Sequence, residues 1–322
     1  MVLRRLVALL ALVPTFAHAW NADGHRQVAD IAWTKLTPKT KAAVMKILTN
    51  ADPKFVADGT DEQKSRDAFR NLSTMPDVIK GDKGTAYEPY IDGFNKTWLP
   101  NPDPKDREQE RCKTWHYYDL PIRYTGKEPG VSESNAINAI KKAQTELGTM
   151  ATKEDSGVLS SWWLGWIEHI AGDLHQPLHS TSNYEKNHDE GDAGGNGIKL
   201  GINGRNGRPL ALHAYWDEGI DHARTADDAG RGSTGFEATT DRWTKASKIL
   251  PAAARVSDQD PLDWVKEGAK LADRFVYAPS VQDGYVPTPE YNAAQEELCR
   301  REAVLGGFRL AEMLNRIFDP KS

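Results

Sequence analysis

The sequence predicts a mostly α-helical protein in a single domain, with one small β-hairpin. Apolar residues recur at helical spacing over most of the chain, and Gly and Pro cluster between those segments. A single Gly-rich segment has the pattern of two short strands. With 39% hydrophobic and 27% charged residues, the composition is that of an ordinary globular protein. Ten tryptophans indicate an aromatic-rich core or cleft wall.

The N-terminus has the pattern of a secretory signal peptide. Arg4 and Arg5 precede an apolar run at residues 6–16, and residues 17–19 (Ala-His-Ala) form a small-x-small cleavage signal. The run is too short to span a bilayer, and we expect no membrane insertion. Cleavage after residue 19 would leave the domain at 20–322 and a secreted or periplasmic protein. Losing both arginines would change the net charge from −5 to −7.

The helices predicted in the first half of the chain follow from apolar stripes and from start and stop signals. They cover residues 25–36, 38–48, a stretch within 66–80 that ends near residues 75–77, 134–148 and 160–176. Ser134 is the expected N-cap of the fourth helix and Gly148 its stop. Pro177 closes the fifth helix, which is mostly apolar and therefore expected to be buried. Residues 81–113, rich in Pro, Gly and Asp, predict an extended loop.

The second half begins with the hairpin. Residues 191–212 contain two short strands around an Asn-Gly turn, and we expect this hairpin to lie near a cleft. Helices are predicted at residues 213–222, 236–250, 261–277 and 290–318. In an oxidising compartment the two cysteines, Cys112 and Cys299, predict one disulfide. The alternative is two buried thiols that are not joined.

Two His-x3-Asp pairs carry the first chemical signal. His169 and Asp173 lie four residues apart on a predicted helix, and so do His213 and Asp217. This spacing places both side chains of a pair on one helix face, and imidazole and carboxylate are standard zinc ligands. One such pair is most often a surface ion pair, but two in one chain favour a metal site. His175 lies off the ligand face and is expected to pack or to support the site.

Five further residues have the right chemistry but weak individual signals: Trp20, His25, Asp77, His116 and His179. Signal cleavage would free the α-amino group of Trp20, which together with its carbonyl can chelate one cation. His25, five residues on, is close enough to add a third ligand. For an arbitrary secreted protein, a frayed terminus would be the more common interpretation.

Taken in order, these residues and their surrounding motifs resemble the S1/P1 nuclease family. The motifs are the mature Trp followed by x4-His, the Asp of M-P-D, W-H-Y-Y-D, H-I-A-G-D-L-H-Q-P-L-H, G-D-A-G-G-N and H-A-Y-W-D. They run from Trp20 to Asp217. The resemblance implies a helical fold of the phospholipase C/P1 nuclease type, with three zinc ions at the base of a cleft.

The resemblance also implies which residues bind each ion. One zinc would be bound by Asp77, His116, His169 and Asp173, a second by His179, His213 and Asp217, and a third by the Trp20 amine and carbonyl, His25 and the other oxygen of Asp173. Asp77 and Asp173 would thus belong to the catalytic centre. Zinc lowers the pKa of bound water to about 7, which suits hydrolysis of a phosphodiester to a 5′-phosphate.

The family further implies residues that contact substrate. Lys80 would stabilise charge at the scissile phosphate, Tyr117 would stack on a base, and Asp119 would bind the base edge. Gly195 and Asn196, with Gly194, would let the backbone approach substrate beside the second zinc. The alternatives are a surface lysine, core packing for Tyr117, a supporting acceptor for Asp119 and a simple turn at the glycines.

We therefore expect a monomeric zinc nuclease that acts on single-stranded DNA, RNA and nucleotides, with possible activity on 3′-nucleotides. An acidic chain excludes binding through a broad basic face, so bound metal ions would have to handle the phosphates. One alternative is a zinc phospholipase C, which resembles this chain but ends its second ligand set with His-x3-Glu. Another is a non-catalytic zinc-binding protein, although such sites are usually closed and contain Cys ligands.

Overall fold

The structure, a computed structural model, describes residues 20–49, 61–81, 112–150, 157–185, 190–229 and 235–320. Side chains are described in these segments except at 79–81 and 157–158. The predicted signal peptide and all but the last two residues of the predicted loop at 81–113 lie outside the described side chains. Within the described segments the protein is mostly α-helical, as the sequence predicts.

The described segments contain twelve α-helices. They are α1 (Ala22–Trp33), α2 (Pro38–Thr49), α3 (Glu62–Leu72), α4 (Met75–Gly81), α5 (Ala136–Met150), α6 (Gly157–Asp173), α7 (Leu212–Asp217), α8 (Gly219–Asp228), α9 (Gly235–Lys245), α10 (Ala253–Ser257), α11 (Pro261–Leu271) and α12 (Pro289–Phe318). A 3₁₀ turn at Pro177–Ser180 follows α6, and a π-helical turn at Ala272–Val276 follows α11.

Two small sheets accompany the helices. Strands β3 (Lys199–Asn203) and β4 (Pro209–Ala211) form the predicted antiparallel hairpin, and β4 leads directly into α7. Strands β1 (Pro121–Ile122) and β2 (Ser182–Asn183) pair in parallel. The sequence does not predict this second pair, because two residues are too few to show a strand pattern.

Several predicted helix boundaries are wrong, and local capping explains the differences. The helix expected within residues 66–80 ends at Leu72, before the predicted end near residues 75–77, and α4 begins at Met75. The chain turns at Ser73 and Thr74, and Pro76 occupies the first turn of α4, where no amide donor is needed. Asn135, not Ser134, caps α5, since its side chain accepts from the amide of Asn138 at 3.0 Å. Gly148 does not end α5.

The later helices differ in the same way. The helix expected at 213–222 is α7 and α8, which are separated at Glu218. The helix expected at 236–250 ends at Lys245, and α10 was not predicted. The last two predicted helices are present, although the π-helical turn forms the end of the one at 261–277.

The core consists of two apolar clusters that share α1 and α12. The first cluster contains Trp33 of α1 and Leu314 of α12, together with α2, α3, α5 and α6. The second contains Ile31 of α1 and Val304 of α12, together with the hairpin, α7 and α8. Different residues of α1 and successive parts of α12 therefore join the two clusters.

Close packing of α1 on α12 depends on a glycine. A Cβ atom at Gly307 would lie 2.5 Å from Cγ2 of Ile31 and 2.9 Å from the carbonyl oxygen of Val28. Since the second of these neighbours is backbone, it cannot move away without shifting α1. Gly307 thereby sets the distance between the two helices that both clusters share.

The predicted disulfide is wrong. Cys112 lies in the first cluster and Cys299 in the second, and no bond joins them. Both side chains are buried, and burial raises the pKa of the Cys299 thiol well above its ordinary value. In the described segments, no helix combines the length and the apolar character that crossing a bilayer requires.

We predict that Gly307→Ala lowers the free energy of unfolding by about 1–3 kcal/mol, because the added methyl group overpacks the interface of α1 and α12. Gly148→Ala is the matched control: among the described residues, no atom outside the neighbouring helix backbone lies within 4 Å of its added Cβ, and it is also helical. Alanine there should leave stability unchanged or raise it by about 0.5–1 kcal/mol. Urea unfolding at fixed metal content measures both. Equal effects of the two substitutions would contradict the packing argument.

Candidate metal centre

Three helices bring together a first group of histidines and carboxylates. Helix α1 supplies His25, α4 supplies Asp77, and α6 supplies His169 and Asp173. The two oxygens of Asp173 each lie 3.2 Å from a ring nitrogen, one from Nε2 of His25 and the other from Nε2 of His169. Asp77 spans the same two nitrogens at 3.6 and 3.9 Å. Both carboxylates thus face both rings.

The histidine rings of this group are held in a fixed orientation. They stack with centroids 3.9 Å apart, and Nδ1 of His169 lies 2.9 Å from the carbonyl oxygen of Ser73. A carbonyl only accepts, so Nδ1 of this ring carries a proton, and Nε2 is the nitrogen that faces the carboxylates. Carbonyl contacts of this kind commonly orient metal-binding histidines.

His25 shows that the group fits a metal ion. Its ring is buried, yet neither nitrogen makes a hydrogen bond to any of the described residues, although Asp173 is only 3.2 Å away. Buried polar atoms normally have a partner. A cation between the ring nitrogens and the carboxylates would supply it, and His25, Asp77 and His169 offer ligand atoms within 4.8 Å of one another.

A second group of ligands forms where the 3₁₀ turn meets α7. Its members are His179, His213 and Asp217, whose ligand atoms also lie within 4.8 Å of one another. Nε2 of His213 is 3.6 Å from Oδ2 of Asp217, and the two imidazole centroids are 4.6 Å apart. The sequence analysis predicted the same three residues for one zinc ion.

The second group is held by residues around it. The side-chain amide of Gln176 donates to Oδ1 of Asp217 at 2.7 Å, and its oxygen accepts from the amide of Leu178 at 2.6 Å. Nδ1 of His213 lies 2.6 Å from the carbonyl oxygen of Gly194. Sequence reasoning missed Gln176, although it lies within the D-x-H-Q-P-x-H motif.

Gly194 and Gly195 have positive φ angles of 62° and 83°, so both lie in the conformation that favours glycine. A Cβ at Gly194 would lie 2.5 Å from the carbonyl oxygen of Leu178. The turn therefore orients His213, which is a supporting role that the sequence did not suggest. Asn196 donates from its side chain to the carbonyl of Ala193 at 2.9 Å. Contact of this turn with substrate remains a prediction.

His116 lies at the border of the second group. Its ring is buried, and its centroid is 5.5 Å from that of His179. Tyr117 packs edge-on against it at 5.0 Å, and the residue as a whole is partly exposed. Burial and the neighbouring charge of Asp192 raise the pKa of Asp119 to about 6. An aromatic ring and a carboxyl group therefore lie on the segment that carries this histidine.

Trp20 lies close to the first group. The residue is completely buried, and its indole nitrogen donates to the carbonyl oxygen of Gly172 at 2.9 Å. The amide of Asn21, the next residue, donates to the carbonyl of Asp217 at 3.1 Å. The start of the predicted mature chain is thus fixed between the two groups. Lys80 follows Asp77 by three residues in α4, and its side chain lies outside the described ones.

The donor set consists of imidazole nitrogens and carboxylate oxygens, without sulfur. Such ligands bind zinc and other divalent transition metals, and a shortage of protein ligands leaves room for water or substrate. Asp173 and His179 are six residues apart in one short segment, so the two groups are neighbours in the chain as well as in the fold.

A family model described as S1/P1 Nuclease matches residues 20–319. The chain belongs to the S1/P1 nuclease family. The match extends well past the motifs that suggested the resemblance and includes α12. As a member of this family, the protein is a nuclease, which hydrolyses nucleic acid. The two ligand groups in its described segments agree with the metal dependence of the family.

Relatives match nearly the whole chain at low identity. Endonuclease 4 of Arabidopsis thaliana is 25% identical over 325 residues, covering 98% of this chain and 95% of that protein. Endonuclease 2 of the same plant is 24% identical over 317 residues, covering 97% and 94%. Nuclease S1 of Aspergillus oryzae is 25% identical over 330 residues, covering 96% and 95%.

We predict that Gln176→Met weakens zinc binding at the second group about 10- to 100-fold, because Asp217 loses the donor that orients it. Competition with a chromophoric chelator measures the affinity. Gln259→Met is the matched control, since this partly buried glutamine donates to the carbonyl of Val256, in the chain before α11. Parent-like zinc affinity of Q176M would show that the amide does not position Asp217.

Proposed function

We propose that the protein is a zinc-dependent phosphodiesterase that cleaves single-stranded DNA and RNA to products with a 5′-phosphate. The observation that carries this proposal is the pair of buried nitrogen–oxygen ligand groups joined by residues 173–179. The partly exposed residue Tyr117 adjacent to them supports a nucleic-acid substrate. Activity on 3′-nucleotides belongs to the same proposal, because it needs the same phosphate chemistry.

The protein residues have separate tasks in this reaction. Asp77 and Asp173 each face two imidazoles and so bind and space the cations. Zinc, when bound, supplies an activated water and compensates phosphate charge. Lys80 adds positive charge for the transition state. A chain with a net charge of −5 needs such local cations, because its overall charge repels a polyanion.

Preference for single strands follows from base stacking. A base can stack on Tyr117 only after leaving its neighbours, which is easy in a single strand and costs a few kcal/mol in a duplex. Such a contact contributes about 1–3 kcal/mol per base and tolerates any sequence. Asp119 would accept hydrogen bonds from the base edge, and Gly195 and Asn196 would approach the backbone.

The third zinc ion in the proposal requires a processed N-terminus. Cleavage between Ala19 and Trp20 would free an amine beside His25 and Asp173. Support comes from the buried indole of Trp20 and from the 3.2 Å contact between His25 and Asp173. We therefore infer a secreted or periplasmic enzyme, and we separately propose that it acts as a monomer.

The test uses mature protein that begins at Trp20. Single-stranded DNA, RNA and phosphatidylcholine vesicles are incubated with it, with and without a chelator, while elemental analysis counts zinc. We expect three zinc ions per chain, chelator-sensitive cleavage of both nucleic acids to 5′-phosphates, and intact lipid. Lipid cleavage without nucleic-acid cleavage would instead identify a phospholipase C. Full zinc content without any turnover would identify a zinc-binding protein.

We predict that one extra residue before Trp20 removes a zinc ion and most of the activity, because the α-amine becomes an amide and can no longer bind metal. Elemental analysis and nuclease assays compare a chain that keeps Ala19 with one that begins at Trp20. A chain extended by one residue after Ser322 is the control and should match the mature protein. Full zinc content and activity in the N-terminally extended form would refute the role of the amine.

A further inference from the structure

The segment from Asp173 to His179 connects the two ligand groups. Asp173 ends α6 and belongs to the first group, while His179 lies in the 3₁₀ turn and belongs to the second. Gln176, between them, holds Asp217. Whatever fixes the backbone of this segment therefore fixes both groups at once.

The segment begins with an irregular helix end that a histidine side chain completes. The amide of His175 donates to the carbonyl of Gly172 at 3.0 Å, which is a 3₁₀ bond. The carbonyl of Ala171 thus loses the amide that would continue the α-helix. Nδ1 of His175 lies 2.7 Å from that carbonyl oxygen and takes over the missing bond.

The other nitrogen of His175 meets a buried arginine of α12. Nη1 of Arg309 lies 3.1 Å from Nε2 of His175, and Arg309 is completely buried. A guanidinium only donates, so Nε2 must accept and Nδ1 must carry the proton. Arg309 therefore selects the tautomer that can donate to Ala171. Gly306 makes room for this contact, since its Cβ would lie 3.1 Å from Cγ of His175.

Arg309 is held in place independently of His175. Its Nε donates to the carbonyl oxygen of Arg255 at 2.9 Å, and Nη2 lies 3.0 Å from Oε2 of Glu267. The indole of Trp264 lies under the guanidinium at 5.1 Å and under the His175 ring at 5.3 Å. The guanidinium is thus a fixed point against which His175 docks.

We propose that Arg309 is a positioning residue, which acts through His175 to hold the Asp173–His179 segment in its metal-binding geometry. This inference rests on the proposed function in one respect, namely that the two groups bind zinc. A buried ion pair contributes little net stability compared with apolar residues of equal size. The geometry instead points to a specific task for the charge and its donors, which is the bond to His175.

The experiment measures zinc affinity by chelator competition in Arg309→Met, Arg309→Lys and His175→Phe. Far-UV circular dichroism of the chelator-treated proteins establishes that each is folded. We expect R309M and H175F to lose about 10- to 100-fold in zinc affinity. R309K keeps the charge opposite Glu267 but lacks the planar set of donors, so it should fold and show an intermediate loss.

Arg316→Met is the matched control. Arg316 lies two turns further along α12, is largely exposed, and bonds Glu312 and the carbonyl of Ser257. R316M should keep the zinc affinity of the parent. The double variant R309M/H175F should lose no more affinity than H175F alone, because both changes break one connection. Additive losses would show that Arg309 does not act through His175.

The outcomes separate this inference from the proposed function. A parent protein that binds zinc but cleaves no nucleic acid contradicts the proposed function and leaves the role of Arg309 to be decided by the affinities. If the parent cleaves nucleic acid and both R309K and H175F keep the zinc affinity of the parent, only the inference about Arg309 is overturned. A parent that binds no zinc overturns both.

Discussion

The structure of this protein depends on the contacts that compensate the buried carboxylate of Asp173. This carboxylate lies 3.2 Å from two histidine rings at the end of α6, without contact with solvent. An isolated carboxylate in such a place would cost several kcal/mol. Bound cations can compensate this cost only if ligand side chains from separate parts of the chain converge on them. The helical scaffold is arranged so that α1, α4 and α6 deliver them.

The scaffold achieves this by sharing two helices between two cores. One face of α1 packs in the cluster of α2, α3 and α6, and another packs with the hairpin, α7 and α8. His25 on α1 and the segment after α6 therefore sit where the clusters meet. Helix α12 packs on the same region, with Gly307 against α1 and Gly306 against His175. Stability and metal geometry consequently rest on the same packing.

The sequence predicted the class of fold and the chemistry of the candidate site better than it predicted the residues that position the ligands. Periodicity revealed the helices, and the spacing of His213 and Asp217 predicted their common face. Spacing could not assign Ser73 or Gly194, because they act through backbone carbonyls that any residue possesses. The break before Met75 and the cap at Asn135 depend on local side-chain bonds that competing residues could also have made. The role of Arg309 depends on its contact with His175, which lies 134 residues away in the chain. The predicted disulfide is wrong because the two cysteines lie in different apolar clusters.

The most direct test of the central claim is anomalous diffraction at the zinc absorption edge from crystals of the mature protein. We expect one peak at His179, His213 and Asp217, and two peaks around Asp173, one of them beside the amine of Trp20. Ions ligated by these nitrogens and oxygens would explain why a carboxylate is buried between two imidazoles. Crystals grown with zinc that show no anomalous peak at either group would contradict the claim that bound metal ions compensate the buried carboxylate of Asp173.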